Sequence, residues 1–220
     1  MSFGANIVWS EIAQATADTL LMLGGSLALT ILLGIPLGVL LFLTDTGQLA
    51  ESRLANRTIG TVVNILRSIP FVILLIVMIP LTLLLVGTSL GVAGAIPPLV
   101  VGAAPFYARL VEGALREVPR PTIEAVEAMG ATRLQIVLKA LLPEALPGLV
   151  SGATITAVAL VSFTAMAGVV GAGGLGDLAI RYGYQRFQTD VMLVTVALMV
   201  VLVQLIQFMG DRLARAFDHR

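Results

Sequence analysis

The sequence predicts an all-α fold, a polytopic bundle of transmembrane helices with five spans. Three observations carry that prediction. Of 220 residues, 58% are hydrophobic and only 12% are charged, about half the charged share of an ordinary soluble domain. Mean hydropathy is +1.00. The charges are also bunched, leaving uncharged runs of 26 residues at Thr19–Thr44, 41 at Ser68–Ala108, 32 at Ala145–Gly176 and 20 at Val191–Gly210. A helix crosses about 30 Å of hydrocarbon in about 20 residues. The first, third and fourth runs therefore hold one crossing each, and the second holds most of two.

The expected spans are 20–43, 59–84, 92–112, 147–170 and 190–210, with one loop of about 113–146 inside a single domain over 1–220. The first carries Gly34-Ile-Pro-Leu-Gly38, small residues that let a neighbouring helix come close. The second contains Arg67, followed by Ser68-Ile69-Pro70, which should perturb the helix at that depth. Arg67 has two readings: it snorkels to the headgroups, or it faces a pathway through the membrane. The chain then folds back at the turn-rich GTSLGVAGAIPP, residues 87–98. The third span holds Pro97, Pro98 and Pro105, and the fourth ends in AGVVGAGGLG, residues 167–176.

Lys and Arg set the orientation. One side receives Arg53 and Arg57, then Arg109, Arg116, Arg120, Arg133 and Lys139, then Arg212, Arg215 and Arg220; the other receives Arg181 and Arg186. Ten against two places the N-terminus outside and the C-terminus in the cytoplasm. The stretch before Asp18 has no basic residue and so lacks the positive region of a cleavable signal.

Several classes of chemistry are excluded. With no cysteine and one histidine, His219 in the charged tail, there is no thiolate, no catalytic triad and no metal set. Zero net charge argues against a nucleic-acid surface. No G-x-x-x-x-G-K-[ST] is present, and GAGGLG is followed by Asp177, so the chain binds no nucleotide of its own. No catalytic residue, cofactor or metal is expected.

Residues 119–147 break the apolar pattern. Pro119 and Pro121 should stop the third helix, and a short helix should run from Thr122 to Met129, with Ile123, Val126 and Met129 on one side. Gly130 suits the position after a helix end, where φ is positive. Thr132 with Gln135 forms a capping box for a second helix. Its expected buried stripe is Leu134, Val137, Leu138 and Leu141, with Pro143 ending it and Pro147 opening the next span.

This helix–glycine–helix unit resembles the EAA loop of ABC-importer permeases, whose pattern is Glu-Ala-Ala, three residues, Gly, nine residues, Ile-x-Leu-Pro. Glu124, Ala125, Gly130, Leu142 and Pro143 match at that spacing, while Val126 and Ala140 are small apolar exchanges. The likeness extends to nearly the whole chain. NILRSIPFVILLIVMIP (64–80), VGAAPFYARLVE (101–112), EAMGATRLQIVLKALLPEALPGLVSGATIT (127–156) and GAGGLGDLAIRYGY (171–184) resemble the permease subunit of methionine importers.

The resemblance implies a type I ABC-importer permease fold in the cell inner membrane. It implies two copies of the chain, two cytoplasmic ATPase subunits and an external binding lipoprotein, with methionine as cargo. It makes Glu124, Ala125, Glu127, Met129, Gly130, Ala131, Leu142 and Pro143 candidates for ATPase coupling. Glu124 should sit at the start of the short helix, favoured by the dipole. Arg181, Tyr182, Tyr184 and Arg186 are candidates for binding-protein contact. Met166, among Ala165, Ala167 and Gly168, is either an apolar gate on a two-fold axis or a packing residue. The competing classes are another small-solute importer, a self-contained channel or secondary transporter, and a membrane scaffold. A self-contained channel or secondary transporter usually needs intramembrane ionisable groups; the scaffold leaves the glycine-hinged loop without a purpose.

Overall fold

The computed structural model describes residues 7–217; His219 lies outside them. Among the described residues four helices are long and apolar enough to cross a membrane: α1 (Trp9–Leu43), α5 (Gly91–Arg116), α9 (Leu146–Gly168) and α11 (Thr189–Phe217). Among the described residues there is no strand. The first span starts eleven residues earlier than its charge pattern indicated. Glu11 and Asp18 are spaced along α1 without interrupting it, because a helix end outside the hydrocarbon tolerates charge.

The second crossing is not the single helix expected over 59–84. It is divided into α2 (Arg53–Ser68), α3 (Phe71–Val77) and α4 (Ile79–Val86), and α2 meets α3 at 101°. The cause is Pro70, which has no N–H and holds Ile69 in extended geometry (φ −78°, ψ 124°). Residues 71–86 then rise about 24 Å. The fold-back also differs: it is complete within Gly87–Leu90, and GVAGAIPP already belongs to α5. Pro97, Pro98 and Pro105 lie inside that helix, tolerated where neighbours cover the freed carbonyls.

α1 lies along α5, and α9 fills the centre against α1, α5 and α11. Glycines set the α1–α5 distance. A Cβ on Gly34 would lie 2.6 Å from the Tyr107 ring, and one on Gly38 would lie 2.6 Å from Val111 and from the Ala108 carbonyl. Tyr107 is buried and donates to the Leu149 carbonyl at 3.1 Å, joining α5 to α9.

The core has two main parts. One surrounds Met22, Phe71, Leu74, Leu99, Leu160 and Ala167. The other surrounds Phe42, Tyr107, Val111, Leu115, Ile136, Leu141 and Leu149, and it is on this second cluster that the polar stretch after α5 rests.

Candidate functional site

The polar stretch folds into α6 (Arg120–Ala128), α7 (Arg133–Ile136), a π-helical turn (Val137–Leu141) and α8 (Leu142–Glu144). Pro119 and Pro121 do not mark a gap before α6. Pro119 is its N-cap and Pro121 lies in its first turn, where a missing N–H costs nothing. Glu124 consequently lies beyond the first turn, which has no acidic residue, so the expected dipole contribution does not arise.

The end of α6 is a Schellman motif. Gly130 has φ +82°, its N–H bonds the Glu127 carbonyl at 2.9 Å, and the Ala131 N–H reaches back to Val126 at 3.4 Å. The capping box follows, with Thr132 and Gln135 exchanging side-chain-to-backbone bonds of 3.4 and 2.8 Å.

The stripe after the box is the expected one only at Val137 and Leu141. Ile136, Val137, Ala140 and Leu141 are buried, whereas Leu134 is 67% exposed and Leu138 55%. The buried residues form an i, i+1, i+4, i+5 face; Pro143, whose ring clashes with the carbonyl four residues back, widens the chain into a π turn at the end of that face, with the Leu142 N–H bonding Val137. Pro143 does not end the helix either; the chain stays helical to Glu144 and breaks at Ala145.

α6 itself barely touches the bundle. Ile123 is its one buried residue, and Val126 and Ala131 pack partly on the second core cluster. Glu124, Ala125, Glu127, Met129 and Gly130 are exposed, as is Pro143, while Leu142 is half-buried against the same cluster. The geometry is a short helix held at one edge and presented outward.

Beneath it lies an ionic network that residue counting along the chain missed. Arg109 and Arg116 both belong to α5, which runs past the expected end of its span at 112. Glu112, 5% exposed, accepts from both at 2.7 Å. Arg116 also pairs with Asp45 at 2.8 Å. Arg109 donates to the Gly60 carbonyl and to Asn64 on α2 at 3.3 and 3.1 Å. The i, i+3 and i, i+4 spacing of Arg109, Glu112 and Arg116 was the available signal. The network fastens α2 and the 44–52 turn to the root of α6.

Met166 is 41% exposed and shares an open face of α9 with Ser151, Ile155, Ser162 and Val169. Arg67 ends α2 beside a cavity at the α2–α3 bend, with its guanidinium 5.9 Å from the Phe106 ring. At the other end of the bundle, residues 171–189 are not an open loop. α10 (Gly174–Leu178) runs into a second π turn (Ala179–Tyr184). Arg181 pairs with Asp177 at 2.8 Å, and Arg181 and Arg186 both cover the Tyr182 ring, at 4.9 and 4.5 Å. Tyr184 is 71% exposed, and next to this group Phe187 is 86% exposed with φ +56°, a residue sequence reading did not single out.

A model of the binding-protein-dependent transport system inner membrane component matches residues 31–220. Among curated relatives, a probable D-methionine transport system permease protein of Vibrio cholerae is 52% identical over the whole length of both chains. The methionine import system permease protein of Bacillus subtilis is 48% identical, over 98% of this chain and 97% of its own. A chain in a crystal structure of inward-facing conformations of the MetNI methionine ABC transporter superposes with a TM-score of 0.95 at 51% identity, covering all of both chains. A family match over most of the sequence, with near-identical backbone geometry, leaves one assignment: the chain belongs to the binding-protein-dependent transport system inner membrane components.

Proposed function

We infer that this chain is the membrane subunit of an ATP-binding-cassette importer for methionine. Two copies form the translocation pathway, two cytoplasmic ATPase subunits drive it, and an external binding lipoprotein supplies the cargo. The observation that carries the reading is α6, an exposed helix with one buried residue, aimed by a Schellman glycine and set on an ion-paired root. Such a part has no use in a channel or scaffold. It suits a lever that another subunit grips. The full-length likeness to methionine permeases supports the choice of cargo.

The chain is a multi-pass inner-membrane protein and is not an enzyme; ATP is hydrolysed by the partner. The ten-to-two distribution of Lys and Arg supports an N-terminus outside and α6 and the C-terminus in the cytoplasm. Closing of the ATPase pair draws the two α6 helices together, and the stiff ionic root passes that displacement to α2 and α5. Glu124, Ala125, Glu127, Met129 and Gly130 form the gripped surface, while Ala131, Leu142 and Pro143 connect it to the bundle. The open face of α9 meets its two-fold mate, where Met166 closes the path by excluding water. Arg181, Tyr182, Tyr184 and Arg186 form the outer rim that receives the binding protein.

The deciding experiment is ATP-driven uptake of labelled L- and D-methionine by vesicles holding this chain, its ATPase and its binding protein. Uptake that requires ATP and is competed only by methionine supports the reading. Competition by a different amino acid instead reassigns the cargo, and uptake without the ATPase sinks the importer class.

A further inference from the structure

We propose that the cavity at the α2–α3 bend is a transient amino-acid subsite within the membrane domain, in which Arg67 holds the cargo carboxylate. The proposal rests on the methionine-import reading and adds a place on the route where the cargo is recognised by this chain.

The cavity measures about 220 Å3 and is lined by residues of α2, α3, α5 and α9, among them Leu66, Arg67, Phe71, Gly102, Phe106 and Phe163. At about 30 Å3 per water, it takes a ligand of about seven waters' bulk, the scale of a single free amino acid. Its depth is central: Gly102 and Phe106 lie near the middle of α5, and Ala159 and Phe163 lie more than halfway along α9. It also adjoins the open face of α9, since Ala159 and Phe163 precede Met166 by seven and three residues, on the same side of the helix.

Three features match a zwitterion with an apolar side chain. Arg67 forms none of the ion pairs found among the described residues; its one neighbour of note is the Phe106 ring at 5.9 Å. A guanidinium without a carboxylate, at the wall of a cavity, offers a two-pronged donor for a ligand's carboxylate. The Leu66 carbonyl cannot receive its usual i+4 helical bond, because Pro70 has no N–H, and it is an acceptor for the ligand's ammonium. The third feature is aromatic. Phe71 and Phe163 stack at 4.3 Å with planes 10° apart, and an aromatic wall of this kind favours a thioether. Gly102 keeps the wall open: a Cβ there would press on Phe71 and Leu74 at 3.2 and 3.3 Å.

The affinity need not be high. A site on a transport path must release what it catches, so a single charged hydrogen-bonding group in an otherwise apolar cavity is the right strength.

The test uses the assembled transporter. Ala159→Cys places one thiol on the cavity wall of a chain that has no cysteine, so alkylation of this chain reports that position alone. Saturating methionine should slow alkylation about tenfold, and methioninol, which lacks the carboxylate, should not. Adding Arg67→Met should remove the protection and lower ATP-driven methionine uptake by about the same factor, with Arg67→Lys in between. Equal alkylation with and without methionine overturns the subsite and leaves Arg67 a lipid-headgroup contact. Full protection in Arg67→Met, or equal protection by methioninol, overturns the role of Arg67. If Arg67→Met does not assemble, the comparison of methionine with methioninol in the Arg67 chain still decides. Normal uptake without protection removes the subsite alone; failure of the unaltered complex to take up methionine removes the import reading.

Discussion

Two polar connections, 117–145 and 169–188, share parts but use them differently. Each contains a π turn and positive-φ glycine. In the first, a Cβ on Gly130 would meet nothing within 4 Å; the glycine is needed for its φ of +82° and not for space. At the second, Gly176 and Gly168, the last residue of α9, have ordinary φ, but a Cβ on either would collide with backbone, Gly168 with Asp177 and Gly176 with Ala165. Gly174 joins them, its Cβ position being 2.7 Å from Thr19 Oγ1, and Thr19 in turn accepts from the Leu175 N–H at 2.9 Å. The lesson is mechanical. Glycine at the α6 end aims a lever that stands free, and glycine at the α10 end clamps α1, α9 and α10 into one block.

Breaking the clamp should have the largest effect. Gly176→Val drives a branched side chain into the α9 backbone, beyond ordinary overpacking of about 1–3 kcal/mol, and the purified complex should be lost or aggregate on gel filtration. A normally assembled Gly176→Val protein would erase the contrast. Next comes Glu112→Ala, which strips both arginines of a buried partner. Removing one member of a buried pair costs about 3–5 kcal/mol, but Arg109 and Arg116 are 27% and 50% exposed, so about 2 kcal/mol is expected once screening is allowed for. A thermal midpoint lowered by several degrees checks it, and an unchanged midpoint would remove the network's role as a root.

Gly130→Val sharpens the comparison from the other side. Left-handed geometry with a β-branched residue costs about 1–2 kcal/mol, locally and outside the bundle. The expected outcome is a membrane domain of normal stability, no methionine uptake and weak ATPase pull-down. Retention of both would detach the lever from transport. Met166→Ala should leave assembly intact and raise ATP-independent leak of ions or substrate, and unchanged leak reduces Met166 to packing. The smallest effect belongs to Glu124→Ala, a partial loss of uptake and ATPase binding, against Glu11→Ala, which should change neither.

Much of this was legible because it depends on local chemistry. Gly130, the Thr132–Gln135 box and the uncharged runs need only near neighbours in sequence, and each was read in advance. Of the Leu134, Val137, Leu138 and Leu141 stripe only Val137 and Leu141 are buried, because the helix turns its Ile136 side, and not its Leu134–Leu138 side, to the second core cluster. The 59–84 span is not one helix because Pro70 makes a 101° bend, an angle that sequence does not give. Phe187 carried no local signal, and its exposure follows from how the π turn hands the chain to α11.

The sequence alone therefore determined the class, four of the crossings, the uneven distribution of arginine and the aimed helix, since hydropathy, charge and capping act within a few residues. Only the tertiary structure decided that Glu112 is buried between two arginines, that three glycines lock one end, and that Arg67 opens on a cavity. Those facts depend on which helices meet and at what distance, and such distances are fixed by close packing across the bundle, where Tyr107 bonds Leu149, Arg109 bonds Asn64 and Leu175 bonds Thr19 over 42, 45 and 156 positions.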